Sequence, residues 1–502
     1  MKKVIHITFL LTALLLLLPA SYTLADSQND APKTTANTTT NTTTTPKPKT
    51  DVMTSKICKK CNCDSDNSLI DCTNKLDGWF SADEWEILQN GKITFETIRL
   101  SHNNFTNIPI LPTYGVKNLF LDYNQISTIT IGAFQNLTKL TKLDLSNNKL
   151  TKKALVPDVF KGPYSAQDFL PLENLKSLNL GYNQLHSLDD DLFEHVPHLE
   201  ELILCSNIFQ VIDKLTETAL SGCSSLKILD ISYMELKTLP DTILHGPRDL
   251  DTLIASGNLF DKLPKALMYA KNLKTLVLDE NPITNLEGDN VFPAMTSLTY
   301  LSLCYMPDIY KIGPGALSEL QNLTELILNE NTHLFEIDPL AFSKNVTGGD
   351  YLDYPALEKI YLNNCNLTVL PRDLIIRWDK LHALDLRFNP WSCDMSNEYM
   401  INYLIQHVNK TTPTLATGVT CVYPNELKGV EILKVSNDKL MEASHSGTSW
   451  IWIVLLTVLL SILLVLMGIV SYRRGYCGLG KRREAARRAL YNRTSFNEDF
   501  HI

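Results

Sequence analysis

The sequence predicts an α/β solenoid with a parallel concave sheet, disulfide caps at both ends and one transmembrane helix. Three observations predict this architecture. A leucine-based motif recurs twelve times between Phe95 and Asn389. Four clustered cysteines lie before this array, and two more, Cys393 and Cys421, lie after it. Beyond them, an uncharged apolar run extends from Trp450 to Val470.

The repeated motif is L-x-x-L-x-L-x-x-N, usually about 24 residues from one copy to the next. Its alternating leucines predict a short strand with one inward face, and one such segment cannot bury its leucines alone. Stacked copies share one apolar core, and each Asn turns inward to bond the backbone of neighbouring turns. The copies begin at Phe95, Val116, Leu140, Leu175, Leu199, Leu226, Leu250, Leu273, Leu298, Leu323, Leu357 and Leu381.

The array is not uniform, because two of its steps are longer and two of its copies lack the Asn. We interpret residues 152–166 and 343–354 as surface loop insertions, with a degenerate extra repeat in each as the alternative. Met234 and Met306 stand where the Asn is expected. Methionine fills the space but donates no hydrogen bond, so these two turns should be softer.

Twelve matches in register make the chain similar to the extracellular leucine-rich-repeat family over roughly three-fifths of its length. The resemblance implies a curved leucine-rich-repeat horseshoe whose ends are closed by cysteine caps. Four cysteines precede the first repeat, and in a secreted chain this favours disulfides over zinc. The family's N-terminal cap implies the pairs Cys58–Cys63 and Cys61–Cys72.

The segment from Asn389 to Cys393 resembles the opening of the family's C-terminal cap, and the segment after Cys421 resembles its close. That cap normally has four cysteines, but Met395 stands at the second position and no later ectodomain cysteine exists. The resemblance therefore implies the single bridge Cys393–Cys421. We expect the cap's small core to contain Ile401, Tyr403, Leu404, Val408 and Leu415.

Four further cysteines fall within the repeats. Cys205 and Cys304 are four repeats apart at equivalent positions, which at about 4.8 Å per strand is too far for a bridge. Cys223 and Cys365 are expected to be buried thiols, with Cys365 at the Asn position of its repeat. A Cys205–Cys223 bridge remains an alternative.

The segments outside the repeats predict a type I single-pass protein of the plasma membrane with its N-terminus outside the cell. Basic residues directly after the apolar run place the C-terminal side in the cytoplasm. The predicted segments are a signal peptide (1–25), a Thr-rich disordered arm (26–57), the N-terminal cap (58–94), the repeats (95–388), the C-terminal cap (389–435), a juxtamembrane linker (436–448), the transmembrane helix (449–472) and a basic cytoplasmic tail (473–502).

The predicted ectodomain is acidic, with 36 Lys and Arg against 52 Asp and Glu, a net charge of about −16. This argues against nucleic acid as its main partner. Glycans are expected at eight N-x-S/T sites and should keep protein partners off those faces, whereas Asn492 lies inside the cell. The eight sites are Asn37, Asn41, Asn104, Asn136, Asn322, Asn345, Asn366 and Asn409.

The sequence contains no recognisable motif for catalysis, a cofactor or a metal. It has no G-x-S-x-G, phosphate-binding loop or H-E-x-x-H. His195 and His198 lie close together between repeats but have too few partners for a metal site. We therefore expect no enzyme and no cofactor, and binding is the predicted activity.

The outward positions of the strands point to the concave face, which a solenoid offers as one wide surface. There we expect exposed apolar and aromatic anchors inside an acidic rim, as in a protein-binding surface. The alternative is that β-branched residues merely suit strands. The ligand-binding candidates are Ile203, Tyr233, Ile254, Val277, Tyr300, Tyr305, Ile327 and Tyr361.

Two functions fit these features. The first is a cell-surface recognition or adhesion protein that binds a protein ligand, or a protein on another cell, through the concave face. The second is a ligand-sensing receptor subunit, as in innate immunity, that signals through a co-receptor because the 30 residues after Tyr472 are too few for a Toll-type domain. Phe500 and Ile502 match a terminus that an intracellular PDZ-domain protein binds, and Cys477 is a palmitoylation candidate.

Overall fold

The computed structural model describes residue 53 and residues 55–90, 94–112, 115–163, 170–284, 286–288, 291–345 and 352–473. The predicted signal peptide, almost all of the Thr-rich arm and the tail beyond Arg473 lie outside the described residues. The same is true of Asn37, Asn41, Cys477, Asn492, Phe500 and Ile502.

Short strands are the main regular structure of the described chain. In chain order they are β1 (Asn62–Asp64), β2 (Leu69–Asp71), β3 (Thr97–Arg99), β4 (Asn107–Ile108), β5 (Asn118–Phe120), β6 (Thr128–Ile129), β7 (Lys142–Asp144), β8 (Ser177–Asn179), β9 (Glu201–Ile203), β10 (Ile228–Asp230), β11 (Thr252–Ile254), β12 (Thr275–Val277), β13 (Tyr300–Ser302), β14 (Lys311–Ile312), β15 (Glu325–Ile327), β16 (Glu336–Ile337), β17 (Lys344–Asn345), β18 (Leu352–Asp353), β19 (Lys359–Tyr361), β20 (Ala383–Asp385), β21 (Trp391–Ser392) and β22 (Cys421–Tyr423).

Helices are few and, with one exception, short. The α-helices are α1 (Lys56–Lys60), α2 (Ala82–Asn90), α3 (Lys214–Gly222), α4 (Ile405–Thr411), α5 (Pro413–Ala416) and α6 (Asn437–Arg473). A π-helix spans Met400–Leu404. The 3-10 helices are Lys152–Ala154, Pro157–Val159, Lys265–Tyr269, Arg372–Leu374, Trp378–Lys380, Met395–Asn397, Asn425–Leu427 and Ile432–Lys434.

Fourteen strands form one sheet in the order β1-β2-β3-β5-β7-β8-β9-β10-β11-β12-β13-β15-β19-β20. The pair β1–β2 is antiparallel, and the other neighbours, such as β9 and β10, are parallel. Each repeat strand begins two residues after a predicted repeat start, from Thr97 after Phe95 to Ala383 after Leu381. The predicted leucine-rich-repeat solenoid with its parallel sheet is therefore confirmed.

The middle residue of every repeat strand faces the core, because side chains alternate along a strand. Fully burying one such side chain stabilises the fold by about 2 kcal/mol. The stack of buried residues is Ile98, Leu119, Leu143, Leu178, Leu202, Leu229, Leu253, Leu276, Leu301, Leu326, Ile360 and Leu384.

Buried asparagines connect successive repeats, as Asn258 illustrates. Its Nδ2 donates to the Ile231 carbonyl of the preceding repeat at 2.9 Å. Its Oδ1 accepts from the Leu236 amide at 3.1 Å. Met234 and Met306, at the same position in two other repeats, are fully buried and fill the space without such donors. The expected softness of those two turns stays a prediction.

The N-terminal cap places its own strands on the first repeat. Disulfides join Cys58 to Cys63 and Cys61 to Cys72, with Cα atoms 5.4 and 4.5 Å apart. Strand β2 then pairs with β3 in parallel. The cap therefore covers the sheet edge that the first repeat would otherwise expose to water.

The first insertion differs from the surface loop that we expected, whereas the described part of the second lies at the surface. In the first, Val159 and Phe160 are fully buried, and the Phe160 ring stacks on Phe134 with centroids 6.2 Å apart. Residues 164–169 of this region lie outside the description. In the second, β17 and β18 pair as a small antiparallel hairpin. Apolar residues within the first insertion explain why it adds to the core rather than remaining at the surface.

In the C-terminal cap, a disulfide joins Cys393 to Cys421 across the β21–β22 pair, with Cα atoms 5.6 Å apart. Of the expected core residues, Ile401, Leu404 and Val408 are buried and Leu415 is half-buried. The exception is Tyr403, which is exposed. Helical spacing explains the difference, because residues three and four apart share a face and Tyr403 lies between them.

Helix α6 begins at Asn437 and continues without interruption to Arg473, so the residues expected to be a linker (436–448) are almost entirely helical. Its first turns include the buried Leu440. The stretch Trp452–Arg473 has a mean hydropathy of 3.2, and none of its apolar window is buried inside the protein. Within the described residues, this is the one helix long and apolar enough to cross a bilayer.

Candidate functional site on the outward face of the sheet

The predicted central outward positions align across neighbouring strands. In register they are Ile203, Asp230, Ile254, Val277, Ser302, Ile327 and Tyr361. The β-branched members are half-buried rather than fully exposed as we expected. Strands lie about 4.8 Å apart, so each of these side chains is flanked by its neighbours on both sides.

The predicted tyrosines separate into two classes. Tyr300 and Tyr361 lie on the strands and are half-buried. Tyr233 and Tyr305 follow their strands and are 38% and 57% exposed. Burial raises the pKa of Tyr233 and of Tyr300 above the ordinary value, so both phenols stay protonated. Tyr305 is therefore the best exposed of the predicted anchors.

The residue directly before each repeat Asn, or before its Met or Cys substitute, has a left-handed backbone with φ between 52° and 62°. We call this set the left-handed column. Its members are His102, Tyr123, Asn147, Tyr182, Ser206, Tyr233, Gly257, Glu280, Tyr305, Glu330, Asn364 and Phe388.

Half of the left-handed column carries aromatic rings, although this backbone region favours Gly and Asn and is an outlier for bulky side chains. Tyr123 and Tyr182 are exposed, and Phe388 is 72% exposed. His102 stacks on Tyr123 with ring centroids 4.3 Å apart. Sequence reasoning missed these four residues. The position before each Asn would have identified them.

Tyr233 lies flat along the face rather than standing away from it. A Cβ at Gly257, in the next repeat, would come within 2.2 Å of the Tyr233 ring. The Tyr233 hydroxyl donates to Glu280 Oε1 at 2.8 Å, one repeat farther on. Gly257, which has φ of 62°, therefore supplies the space over which the ring reaches Glu280.

Charges alternate along the side of the face where the chain enters each strand. Glu200 accepts from Lys176 and from Lys227, both at 2.7 Å. Asp251 and Lys274 continue the series at 3.8 Å. The Lys176 hydrogen bond is the main cause that lowers the pKa of Glu200. We call this alternating series of charges the entry ladder. Its lysines neutralise its acids, and exposed ion pairs of this kind add little stability.

The opposite side, where the chain leaves each strand, contains half-buried carboxylates. Asp144, Asp230 and Asp279 have pKa values above the ordinary range because burial disfavours their charged form. Asp279 accepts from Ser302 Oγ and from the Cys304 amide, both at 2.7 Å. Within repeats three to eight the entry side therefore has paired charges, whereas Asp144, Asp230 and Asp279 on the exit side have no lysine or arginine partner among the described residues.

The cysteines within the repeats are free thiols in the structure, including Cys205 and Cys223, for which a bridge was the alternative. Burial raises the pKa of each thiol to about 12. Cys205 and Cys304 lie on the outward face beside Asp230 and Asp279, whose charges are the second cause of those two raised pKa values. Such thiols are poor nucleophiles at neutral pH.

Among the described residues, no group of three or more His, Cys, Asp or Glu side chains is arranged to hold a metal ion. His195 is half-buried and His198 is exposed.

The described N-x-S/T sites flank the sheet without entering its strands. Asn104, Asn322 and Asn366 are exposed, whereas Asn136 and Asn409 are half-buried. Asn136 and Asn322 donate to carbonyls of the preceding repeat, at 2.9 and 2.6 Å. Asn345 lies in β17, outside the large sheet. Between residues 137 and 321 the sequence contains no such site, so the middle of the face is free of them.

Comparison with known proteins agrees with this architecture. The family model "Leucine rich repeat" matches residues 94–150, 114–163, 167–209 and 197–260. Lumican of Gallus gallus is 32% identical over 227 residues, 45% of this chain and 60% of that protein. The CD180 antigen of Mus musculus is 24% identical over 387 residues, 75% of this chain and 50% of that antigen. The chain thus spans less than two thirds of either relative.

A solved structure also shares the fold. It is the octameric complex of Latrophilin 3, Unc5D and the leucine-rich-repeat protein FLRT2. The match has a TM-score of 0.52 at 21% identity and covers 76% of this chain and 98% of that chain. With its leucine-rich repeats, parallel sheet and disulfide-bonded ends, the chain is a leucine-rich-repeat protein similar to extracellular proteins of that kind.

Proposed function

We propose that the chain is a type I single-pass protein of the plasma membrane that recognises a protein ligand, in adhesion or cell-surface recognition, through the outward face of its sheet. The exposed aromatic residues of the left-handed column support this proposal above all. A bulky side chain at positive φ costs of order 1 kcal/mol or more, whereas Gly or Asn would avoid that cost. The core does not need Tyr123, Tyr182, Tyr305 or Phe388, because each of these side chains is more than half exposed.

Aromatic side chains are the residues that most often anchor protein interfaces. Tyr182, Tyr233 and Tyr305 lie in the part of the face that has no N-x-S/T site, so glycans leave them accessible. The half-buried aliphatic column beside them adds apolar area inside a charged rim, which is the usual anatomy of such surfaces. FLRT2, whose repeats share this fold, was solved in complex with two other proteins, which is compatible with a protein ligand here.

Tyr305→Ala is expected to weaken partner binding by the chain about 30-fold, the typical effect of removing an interface anchor. Delivery to the cell surface should stay normal, because the Tyr305 side chain is 57% exposed and contributes little to the core. The measurement is trans binding between cells that display the full-length chain and cells that display candidate partners, by flow cytometry of cell pairs.

Tyr310→Ala is the matched control, since Tyr310 is 51% exposed but lies after the repeat turn rather than on the face. Full-strength binding by both variants would exclude the aromatic face as the contact surface. The insertions (152–166 and 343–354) would then be the next surfaces to test. Self-aggregation of cells expressing the chain would support adhesion over the co-receptor alternative.

The proposed topology predicts which asparagines carry glycans. Asn104, Asn136, Asn322, Asn366 and Asn409 should be modified together with Asn345, whereas Asn492 should not, because it follows the membrane span and its basic flank. Site-resolved mass spectrometry after glycosidase treatment measures this directly. A glycan on Asn492 would reverse the proposed orientation.

A further inference from the structure

The exit side of the face, over repeats six to ten, holds more hydrogen-bond acceptors than donors. We call this group the acceptor patch. It comprises Asp230, Ser232, Asp279, Glu280, Asn329 and Glu330, which follow strands β10, β12 and β15 or end them. Five neighbouring strands about 4.8 Å apart give the patch a length of roughly 19 Å along the solenoid.

The four carboxylates of the patch have no cation beside them. In the part of the chain that the structure describes, none of them belongs to an ion pair. They accept instead from neutral groups, such as the Ser232 amide at 2.9 Å for Asp230 and the Tyr233 hydroxyl at 2.8 Å for Glu280. The entry ladder, only a few residues away along each strand, gives its acids lysine partners at 2.7 to 3.8 Å.

Two further acceptors in the patch are buried and receive no hydrogen bond from a described residue. Ser232 is only 4% exposed; its hydroxyl lies beside the Asp230 carboxylate, and no described residue donates a hydrogen bond to its oxygen. Asn329 Oδ1 is also buried, and it forms no hydrogen bond to a described residue. Buried polar atoms are nearly always paired in folded proteins, so these two oxygens can accept a hydrogen bond from a bound group.

We propose that the acceptor patch binds an extended, basic segment of the partner protein, whose Lys or Arg side chains donate to these carboxylates, hydroxyl and amide oxygen. This inference rests on the proposed function and names the chemistry of the partner. Positively charged donors match an acceptor-rich surface in charge and in hydrogen bonding. Tyr233 and Tyr305 flank the patch, and their ring faces attract guanidinium and ammonium groups.

The test uses the full-length chain in detergent and a synthetic probe, a peptide of about eight residues with alternating Arg and Ser, long enough to span the patch when extended. The control probe replaces each Arg with neutral citrulline. We expect the Arg peptide to bind at least about ten-fold more tightly, equivalent to one lost charge-assisted hydrogen bond. Equal binding of the two probes would overturn the proposal.

Variants localise the binding. Asp230→Asn with Asp279→Asn should weaken the Arg peptide about ten-fold, whereas Asp190→Asn with Asp191→Asn, the same charge change on exposed residues elsewhere, should change it less than about two-fold. Ser232→Ala removes a hydroxyl oxygen that receives no hydrogen bond from a described residue, so it should change folding little and still weaken binding. Equal losses in both double variants would show general charge attraction and overturn the proposal.

Calcium provides a separate outcome. Displacement of the Arg peptide by millimolar calcium but not by the same ionic strength of sodium would make the patch a metal site and overturn the proposal. Failure here is distinguishable from failure of the proposed function. Suppose that Tyr305→Ala abolishes cell binding while the patch variants keep full affinity for the Arg peptide. The proposed function would then be supported, and the proposal of a basic partner segment at the acceptor patch would be wrong.

Discussion

Cys393→Ser is expected to destabilise the protein by roughly 2–5 kcal/mol, the usual cost of removing a native bridge from a small module. The bridge is the covalent link between β21 and β22, and both of its cysteines are fully buried in the cap. Loss of the bridge should loosen the cap and uncover the end of the solenoid core. The measurements are the fraction of protein that reaches the cell surface and the midpoint of thermal unfolding.

Cys421→Ser should cost as much as Cys393→Ser, and the double variant should be no worse than either single change. Cys223→Ser is the matched control, because Cys223 is also buried but is a free thiol. Its cost should be nearer 1 kcal/mol, since only a small apolar contact is lost. Additive losses for Cys393 and Cys421 would mean that the two do not pair.

Asn281→Ala is expected to cost about 3 kcal/mol, because it leaves buried backbone groups of two repeats without partners. Asn281 is completely buried. Its Nδ2 donates to the carbonyls of Ala255 and Leu278 at 3.0 and 2.9 Å, and its Oδ1 accepts from the Phe260 amide at 3.2 Å. Thermal and denaturant unfolding of the purified protein measures the change.

Asn272→Ala is the control for this prediction. Asn272 also donates to the preceding repeat, to the Arg248 carbonyl at 2.7 Å, but it is exposed. Water can replace its hydrogen bond, so the loss should stay near 1 kcal/mol or below. Similar losses for the two variants would show that burial does not determine how much an inter-repeat asparagine contributes to stability.

The repeat spacing was sufficient to place the strands. Leu202, Leu229 and Leu253 lie at the core positions that the motif predicts, and their strands are neighbours in the sheet in register. The motif predicts these strand and core positions because each copy must bury the same side chains against the next copy. The family resemblance then supplied the cysteine pairs of the caps.

The candidate site was predictable only in part. Tyr233 and Tyr305 were recognised as anchors, but Tyr123, Tyr182 and Phe388 at the equivalent position were not. The motif treats the residue before the Asn as variable, so its left-handed backbone was not considered. The sequence also could not show that Ile254 is only half-buried by neighbouring strands.

By itself, the sequence determined the strand positions, the buried leucines, the row of buried asparagines at the end of each motif, and the apolar span of α6. The tertiary structure alone decided what happens between residues of different repeats. Examples are the Tyr233 ring over Gly257, the pairing of Glu200 with two lysines, and the acids of the acceptor patch, which have no lysine or arginine partner among the described residues. The physical reason is that such contacts join side chains about 24 residues apart, whose approach depends on how neighbouring turns stack.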